Sequence, residues 1–179
     1  MSLAIVPFRH RVRFVAPVYL DANFLVAIYF RGHVRYRRAR HYLFELFRQR
    51  TPMLISALTI DEAWWGLLGE WYEYDHPDSR FSARVLKRNP AILSAYTVRL
   101  WHFTDTILRW RYVTWLPNTT MNVPTFIERA RNSLIQHQLA PRDAFHLATI
   151  EMKSAAGLIT CDSDFDRLVL PFDLTLYKF

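Results

Sequence analysis

Four carboxylates stand where short apolar runs end or where helices begin. Asp21 follows Val18-Tyr19-Leu20, and Asp162 lies just beyond Leu158-Ile159-Thr160. Glu62 and Asp143 fall in segments that read as the first turn of a helix. In an open α/β sheet these positions lie along one edge, the carboxyl ends of the strands, where ligands bind. Carboxylates brought together repel and raise one another's pKa. A divalent cation relieves that cost, and an all-oxygen donor set suits Mg²⁺ or Mn²⁺. Each acid also has an ordinary structural reading. Asp21 reads as a helix N-cap, Glu62 as half of a capping box, Asp143 as an acid favoured by the helix dipole, and Asp162 as a turn residue. Those readings leave unexplained why a basic chain places its acids at one edge.

The basicity is general. The chain of 179 residues has 23 Lys and Arg against 16 Asp and Glu, a formal charge of +7. With 16% aromatics, that balance invites a polyanion partner, although an arginine-rich background reads the same way. Arg35, Arg37, Arg38 and Arg40 concentrate the charge before and within a helical pattern whose apolar positions are Tyr36, Ala39, Leu43, Leu46 and Phe47. An acidic, cation-binding pocket beside such arginines suits a phosphodiester substrate. The arginines hold the backbone, the cation activates a water, and no serine or histidine nucleophile is required.

The elements that must position these residues follow from pattern. Strands are expected at Val18–Leu20, Met53–Ser56, Val113–Leu116 (ended by Pro117-Asn118), Leu158–Thr160 and Leu174–Tyr177, alternating with helices. Helices are expected over Ala22–Phe30, from the capping box Thr59-Ile60-Asp61-Glu62, from Pro124 to about Gln138, and from Pro141 to Gly157. Residues 64 to about 112 read as a mostly helical, aromatic insertion, with turns at His76-Pro77-Asp78 and Asn89-Pro90. Residues 1–17 read as a basic N-terminal extension, either a solvated tail or an edge-strand arm. The length suits one domain, and βαβ alternation implies a mostly parallel sheet. A single cysteine, Cys161, excludes an internal disulfide and a Cys/His zinc cluster. No membrane span and no signal peptide are read, which makes the cytoplasm the expected location.

Four motifs resemble those of PIN-domain ribonucleases, closest to VapC-type toxins. Tyr19-Leu20-Asp21-Ala22-Asn23 resembles the opening motif, and Ser56 followed by Glu62 the second. Pro141-Arg142-Asp143-Ala144-Phe145-His146-Leu147-Ala148 resembles the third, and Thr160-Cys161-Asp162-Ser163-Asp164-Phe165 the fourth. The resemblance covers about 18–62 and 113–177. It implies a three-layer α/β/α sandwich and an endoribonuclease dependent on Mg²⁺ or Mn²⁺. Asp21, Glu62, Asp143 and Asp162 map onto the metal-binding acids, Asp164 is a candidate fifth, and Asn23 and Thr160 map onto the polar residues that orient them. It also implies a toxin with an antitoxin protein partner. The long insertion and the segment before Val18 depart from the short toxins.

Other readings stand beside this one. The same fold serves as a non-catalytic RNA- or protein-binding module, which loss of the acids would mark. An aspartyl-phosphate phosphohydrolase wants Asp-x-Asp after the first strand, where this chain has Asn23. A receiver domain wants a lysine late in the sheet, and Lys87, Lys153 and Lys178 are not expected to follow a suitable strand. Trp64, Trp65, Trp71, Tyr72 and Tyr74 read as core or interface, with base stacking as the alternative. His146 reads as packing one turn beyond Asp143. A chain this rich in rings is expected to form a homodimer to bury them.

Overall fold

Successive strand residues send their side chains to opposite faces, and both faces are covered. Val18, Leu20, Met53, Ile55 and Ile159 join one apolar cluster, while Tyr19, Leu54, Leu158, Leu174 and Leu176 join another. Strands buried on both sides read as unbroken apolar runs. The computed structural model describes residues 2–116 and 122–179, so the strand-ending role expected of Pro117-Asn118 lies outside the described residues.

The elements are β1 (Leu3–Val6), β2 (Val18–Leu20), α1 (Ala22–Tyr29), α2 (Tyr36–Arg48), β3 (Met53–Ser56), α3 (Ala57–Asp75), α4 (Ala83–Arg88), α5 (Ala91–Leu108), β4 (Val113–Leu116), α6 (Val123–His137), α7 (Pro141–Met152), β5 (Gly157–Ile159), a 3-10 turn (Asp164–Arg167) and β6 (Leu174–Tyr177). The sheet order is β1-β6-β5-β2-β3-β4, and every pairing is parallel. Side chains of α1, α2, α3 and α5 cover one face, and those of α7 with the 3-10 turn cover the other. This is the α/β fold with a helical layer on each side. The chain leaves β2 towards β3 and later returns to β5 on the other side. That reversal between β2 and β5 is a topological switch point, with Asp21 and Asp162 just beyond the two strands.

One open alternative is decided for the edge strand, and two local expectations are corrected. Residues 3–6 form an edge strand paired to β6, because Leu3 to Val6 match Leu174 to Tyr177 in parallel register. The following segment packs against α2 with Val12 and Phe14 buried. Helix α3 begins before the expected capping box. Ser56 is its N-cap and accepts a hydrogen bond from the Thr59 N–H, so Glu62 lies in the second turn. Gly157 opens a strand instead of closing a helix. A Cβ there would meet the Val15 carbonyl oxygen and Tyr177 Cε2, each at 3.0 Å.

The aromatic insertion is α3, α4 and α5. Trp71 is buried and stacks on Tyr96, and Trp64 donates its indole N–H to Thr104, so these rings hold the helices together. Tyr74 stays 71% exposed.

Gln49, at the end of α2, fastens the N-terminal segment. Its amide donates to the Val12 carbonyl at 2.6 Å and its oxygen accepts from the Phe14 N–H at 3.2 Å. Gln49→Ala removes both bonds, at about 1 kcal/mol each. The melting temperature is expected to fall by about 4–8 °C at this size. Trypsin should also cut sooner at Arg11 and Arg13. Unchanged melting and digestion would mean that burial of Val12 and Phe14 holds the segment unaided.

Candidate active site

Asp21 is fixed before any ligand arrives. It is the N-cap of α1, with Oδ1 accepting from the Ala22 N–H at 2.6 Å. Its Oδ2 accepts from Thr160 Oγ1 and from Asn23 Nδ2, both at 2.6 Å. The N-cap reading and the site reading of Asp21 are therefore compatible. Thr160 also accepts from the Asp162 N–H at 2.9 Å, and Asn23 Oδ1 accepts from the Cys161 N–H at 3.3 Å. These bonds tie the end of β2 to the turn after β5. Asp162 is braced in turn, its Oδ1 accepting from the Asp164 N–H at 2.8 Å. Asp21 is 8% exposed, and burial pushes its carboxyl above the ordinary value.

Asp143 lies in the first turn of α7, whose Pro141 opens the helix. Its carboxyl is pushed up to about 6, first by burial and then by the neighbouring Asp162 charge, with His146 opposing and Asp21 and Glu62 adding. The acids expected from four separate segments thus meet in one cleft of about 310 Å³, lined by Asp21, Asn23, Glu62, Asp143 and Asp162. Oxygens of Asp143, Asp162 and Asp164 come within 4.8 Å of one another, as do ligand atoms of Asp21, Glu62 and His146. Asp166 is outside these groups and pairs with Lys178.

The structure adds residues that motif reading did not place in the site. His146 is buried, and its Nε2 lies 2.8 Å from Glu62 Oε2, so it belongs to the acidic cluster as well as to the packing of α7. Arg142 Nε lies 3.6 Å from Glu62 Oε1. Val26, His33, Gly66 and Glu70 form a further wall of the cleft. Glu62, Gly66 and Glu70 share a face of α3 by four-residue spacing, a signal present in the sequence. At Gly66 a Cβ would meet Val26 Cγ2 at 2.8 Å, so the glycine lets α3 approach α1. Lys178 directly follows β6, contrary to expectation. Its ammonium bonds the Asp162 carbonyl and the Asp166 carboxylate. Burial raises the Cys161 thiol, the opposite of what a nucleophile needs.

The basic face divides in two. Arg35 precedes α2, and its backbone N–H donates to Nδ1 of His33, a residue of the cleft wall. Arg37, Arg38 and Arg40 are exposed on α2, with the Arg38 guanidinium over the Phe8 ring at 5.4 Å. Among the described residues, no helix is long and apolar enough to cross a membrane.

The raised carboxyl of Asp143 predicts a pH-dependent stability. Its folded pKa lies above the unfolded one, so stability present at low pH is lost as pH rises from about 4 to about 6. Asp143→Asn should therefore melt like wild type near pH 4 and a few degrees higher near pH 7. The gain is about 1 kcal/mol after allowing for solvent screening at a half-buried group. Millimolar Mn²⁺ should then raise the melting temperature of the variant less than that of wild type. A lower melting temperature for the variant near pH 7 would make Asp143 a helix-stabilising acid only.

No family model matches the chain, and no curated protein matches it. Among solved structures it is similar to Mycobacterium tuberculosis VapC20, described as a Sarcin-Ricin loop cleaving toxin. The two are 18% identical over 84% of this chain and 93% of that one, with a TM-score of 0.48. It is also similar to a chain of a toxin-antitoxin complex from Klebsiella pneumoniae, 19% identical over 88% of this chain and 99% of that one, with a TM-score of 0.46.

Proposed function

We propose that the protein is a metal-dependent endoribonuclease, hydrolysing RNA phosphodiester bonds in the cleft at the carboxyl edge of the sheet. The observation that carries this reading is the convergence of Asp21, Glu62, Asp143 and Asp162 from four segments of a basic chain. The donor set fits a hard divalent cation. It is rich in carboxylate oxygen, and the Asp143 carboxyl is raised first by burial and then by the neighbouring Asp162 charge, both of which a bound cation would offset. Mg²⁺ or Mn²⁺ held there supplies Lewis acidity and charge neutralisation at the scissile phosphate.

The chain's own residues do the remaining work. Thr160, Asn23 and the Ala22 N–H hold Asp21 in one orientation, which spares that ligand reorganisation when it is used. Asp143, Asp162 and Asp164 form a second group. Arg35 and Arg142, beside the cleft, suit the phosphates next to the scissile one, and Arg37, Arg38 and Arg40 suit the backbone further along. Hydrolysis adds one water across a P–O bond, so no covalent enzyme intermediate is needed.

The sequence resemblance extends the reading to a toxin that an antitoxin protein restrains in the cytoplasm. A homodimer belongs to the same reading. In its favour, α6 leaves Val123, Ile127 and Ile135 more than half exposed.

The deciding experiment incubates total RNA with the purified protein and Mn²⁺ or Mg²⁺. Cleavage is expected with the ion and none with EDTA. Asp21→Asn or Asp143→Asn should slow it by more than about a hundredfold, because even residues behind a metal ligand typically cost 10–100-fold. Wild-type activity that persists in EDTA, or survives both substitutions, would contradict the mechanism. A non-catalytic binding module predicts RNA or protein capture without cleavage under every condition.

RNA binding should weaken steeply with salt. In the Arg37→Ala, Arg38→Ala double variant, the slope of log affinity against log salt should flatten by roughly one unit per lost phosphate contact. An unchanged slope would move the RNA path off α2.

A further inference from the structure

We propose that Tyr19 is a positioning residue: acting through His146, its buried hydroxyl holds the Glu62 carboxylate in the orientation that meets the cation. This rests on the reading of Glu62 as a metal-binding acid.

Tyr19 is the middle residue of the three-residue strand β2 and is fully buried. A phenylalanine would fill almost the same space without burying a hydroxyl, which is costly unless hydrogen-bonded. The hydroxyl is bonded to its capacity. It lies 2.7 Å from Ser56 Oγ, 3.0 Å from Thr59 Oγ1 and 2.7 Å from His146 Nδ1, matching one donor and two acceptor sites. These partners come from the start of α3 and from α7, so the hydroxyl joins the central strand to two helices of the site.

The direction of the bonds follows from the far end. An ionised carboxylate only accepts, so His146 Nε2–H donates to Glu62 Oε2 at 2.8 Å. In a neutral imidazole Nδ1 is then an acceptor, and Tyr19 is its donor. With that proton committed, Ser56 and Thr59 donate to the Tyr19 oxygen. Every proton in the chain points towards Glu62. Both ring nitrogens are then engaged, so the ring offers no lone pair to a cation, although one of them lies within 4.8 Å of ligand atoms of Asp21 and Glu62. His146 holds one oxygen of Glu62 and leaves Oε1 unheld by the ring.

The test compares wild type with Tyr19→Phe. Mn²⁺ affinity is measured by calorimetry, folding by circular dichroism and cooperative melting, and the tautomer of the His146 ring by nitrogen NMR with and without Mg²⁺. Wild type is expected to carry its proton on Nε2 with and without Mg²⁺. In Tyr19→Phe, Nδ1 should move to the shift of an unbonded imine nitrogen, and Mn²⁺ affinity should fall by about 10–100-fold. A folded Tyr19→Phe with wild-type affinity overturns the proposal. So does a wild-type ring that carries its proton on Nδ1 once Mg²⁺ is bound, the signature of direct ligation by Nε2.

If Tyr19→Phe fails to fold, His146→Gln and His146→Leu take its place. Gln keeps a donor for Glu62 and should bind Mn²⁺ within a few-fold of wild type, while Leu should lose about tenfold or more. Equal losses in the two variants, or none in Leu, overturn the proposal. A wild-type protein that binds no Mn²⁺ removes the metal reading itself, and that outcome is visible before any variant is made.

Discussion

Like charges held together in a half-buried cleft are the constraint on which the rest of this structure depends. Asp21, Glu62, Asp143 and Asp162 cannot converge at no cost: burial first, and neighbouring carboxylates after it, raise the carboxyls of Asp21 and Asp143. The fold meets it with hydrogen bonds to the carboxylates. Asp21 takes three donors, Glu62 takes His146, and Asp162 takes the Asp164 N–H. Each bond also removes a degree of freedom, so the features that let the acids coexist also aim them.

The sheet supplies the framework for those bonds. β2 lies between β5 and β3, and its parallel neighbours bring their carboxyl ends to one edge. Thr160 and Asp21 bond side chain to side chain because β2 and β5 are in register, Leu20 beside Ile159. The strands there are only three or four residues long, too short to hold position alone, and helices on both faces give them their rigidity. The N-terminal segment contributes at the far edge, where β1 covers β6 and Gln49 ties the following residues to α2. An edge strand left bare would be open to pairing with another chain.

The two charge populations have different tasks. The cleft acids are buried or half-buried, and Asp21, Glu62 and Asp162 accept hydrogen bonds. The arginines are mostly exposed, and among the described residues Arg48, Arg80, Arg99, Arg129, Arg142 and Arg167 pair with acids while the others do not. On the proposed reading, the chain's positive charge draws phosphates in, while the acidic cleft repels them unless a cation intervenes. The proposed nuclease reading joins these facts, because the cation is what makes an acidic pocket hospitable to a phosphodiester.

Much of this was written locally. Val18-Tyr19-Leu20 before Asp21, Pro141 two residues before Asp143, and the apolar runs at Met53 and Leu158 declare their elements through short-range pattern, and the strand–helix alternation already implied a parallel α/β fold. The acids could be named because strand ends and helix starts are themselves local features. What tertiary structure decided depends on pairings between distant segments. Leu3 to Val6 reads equally as a tail or an edge arm until Leu174 to Tyr177 offers it an edge. The capping signal at Thr59 yielded to Ser56, because β3 runs directly into α3 and leaves no turn between them. His146 reads as packing on its own helix, and only the approach of α3 sets Glu62 against its ring. Tyr19 passes for one more apolar strand residue. Its hydroxyl acquires meaning when residues far along the chain converge on it, and sequence pattern carries no term for contacts between residues so far apart.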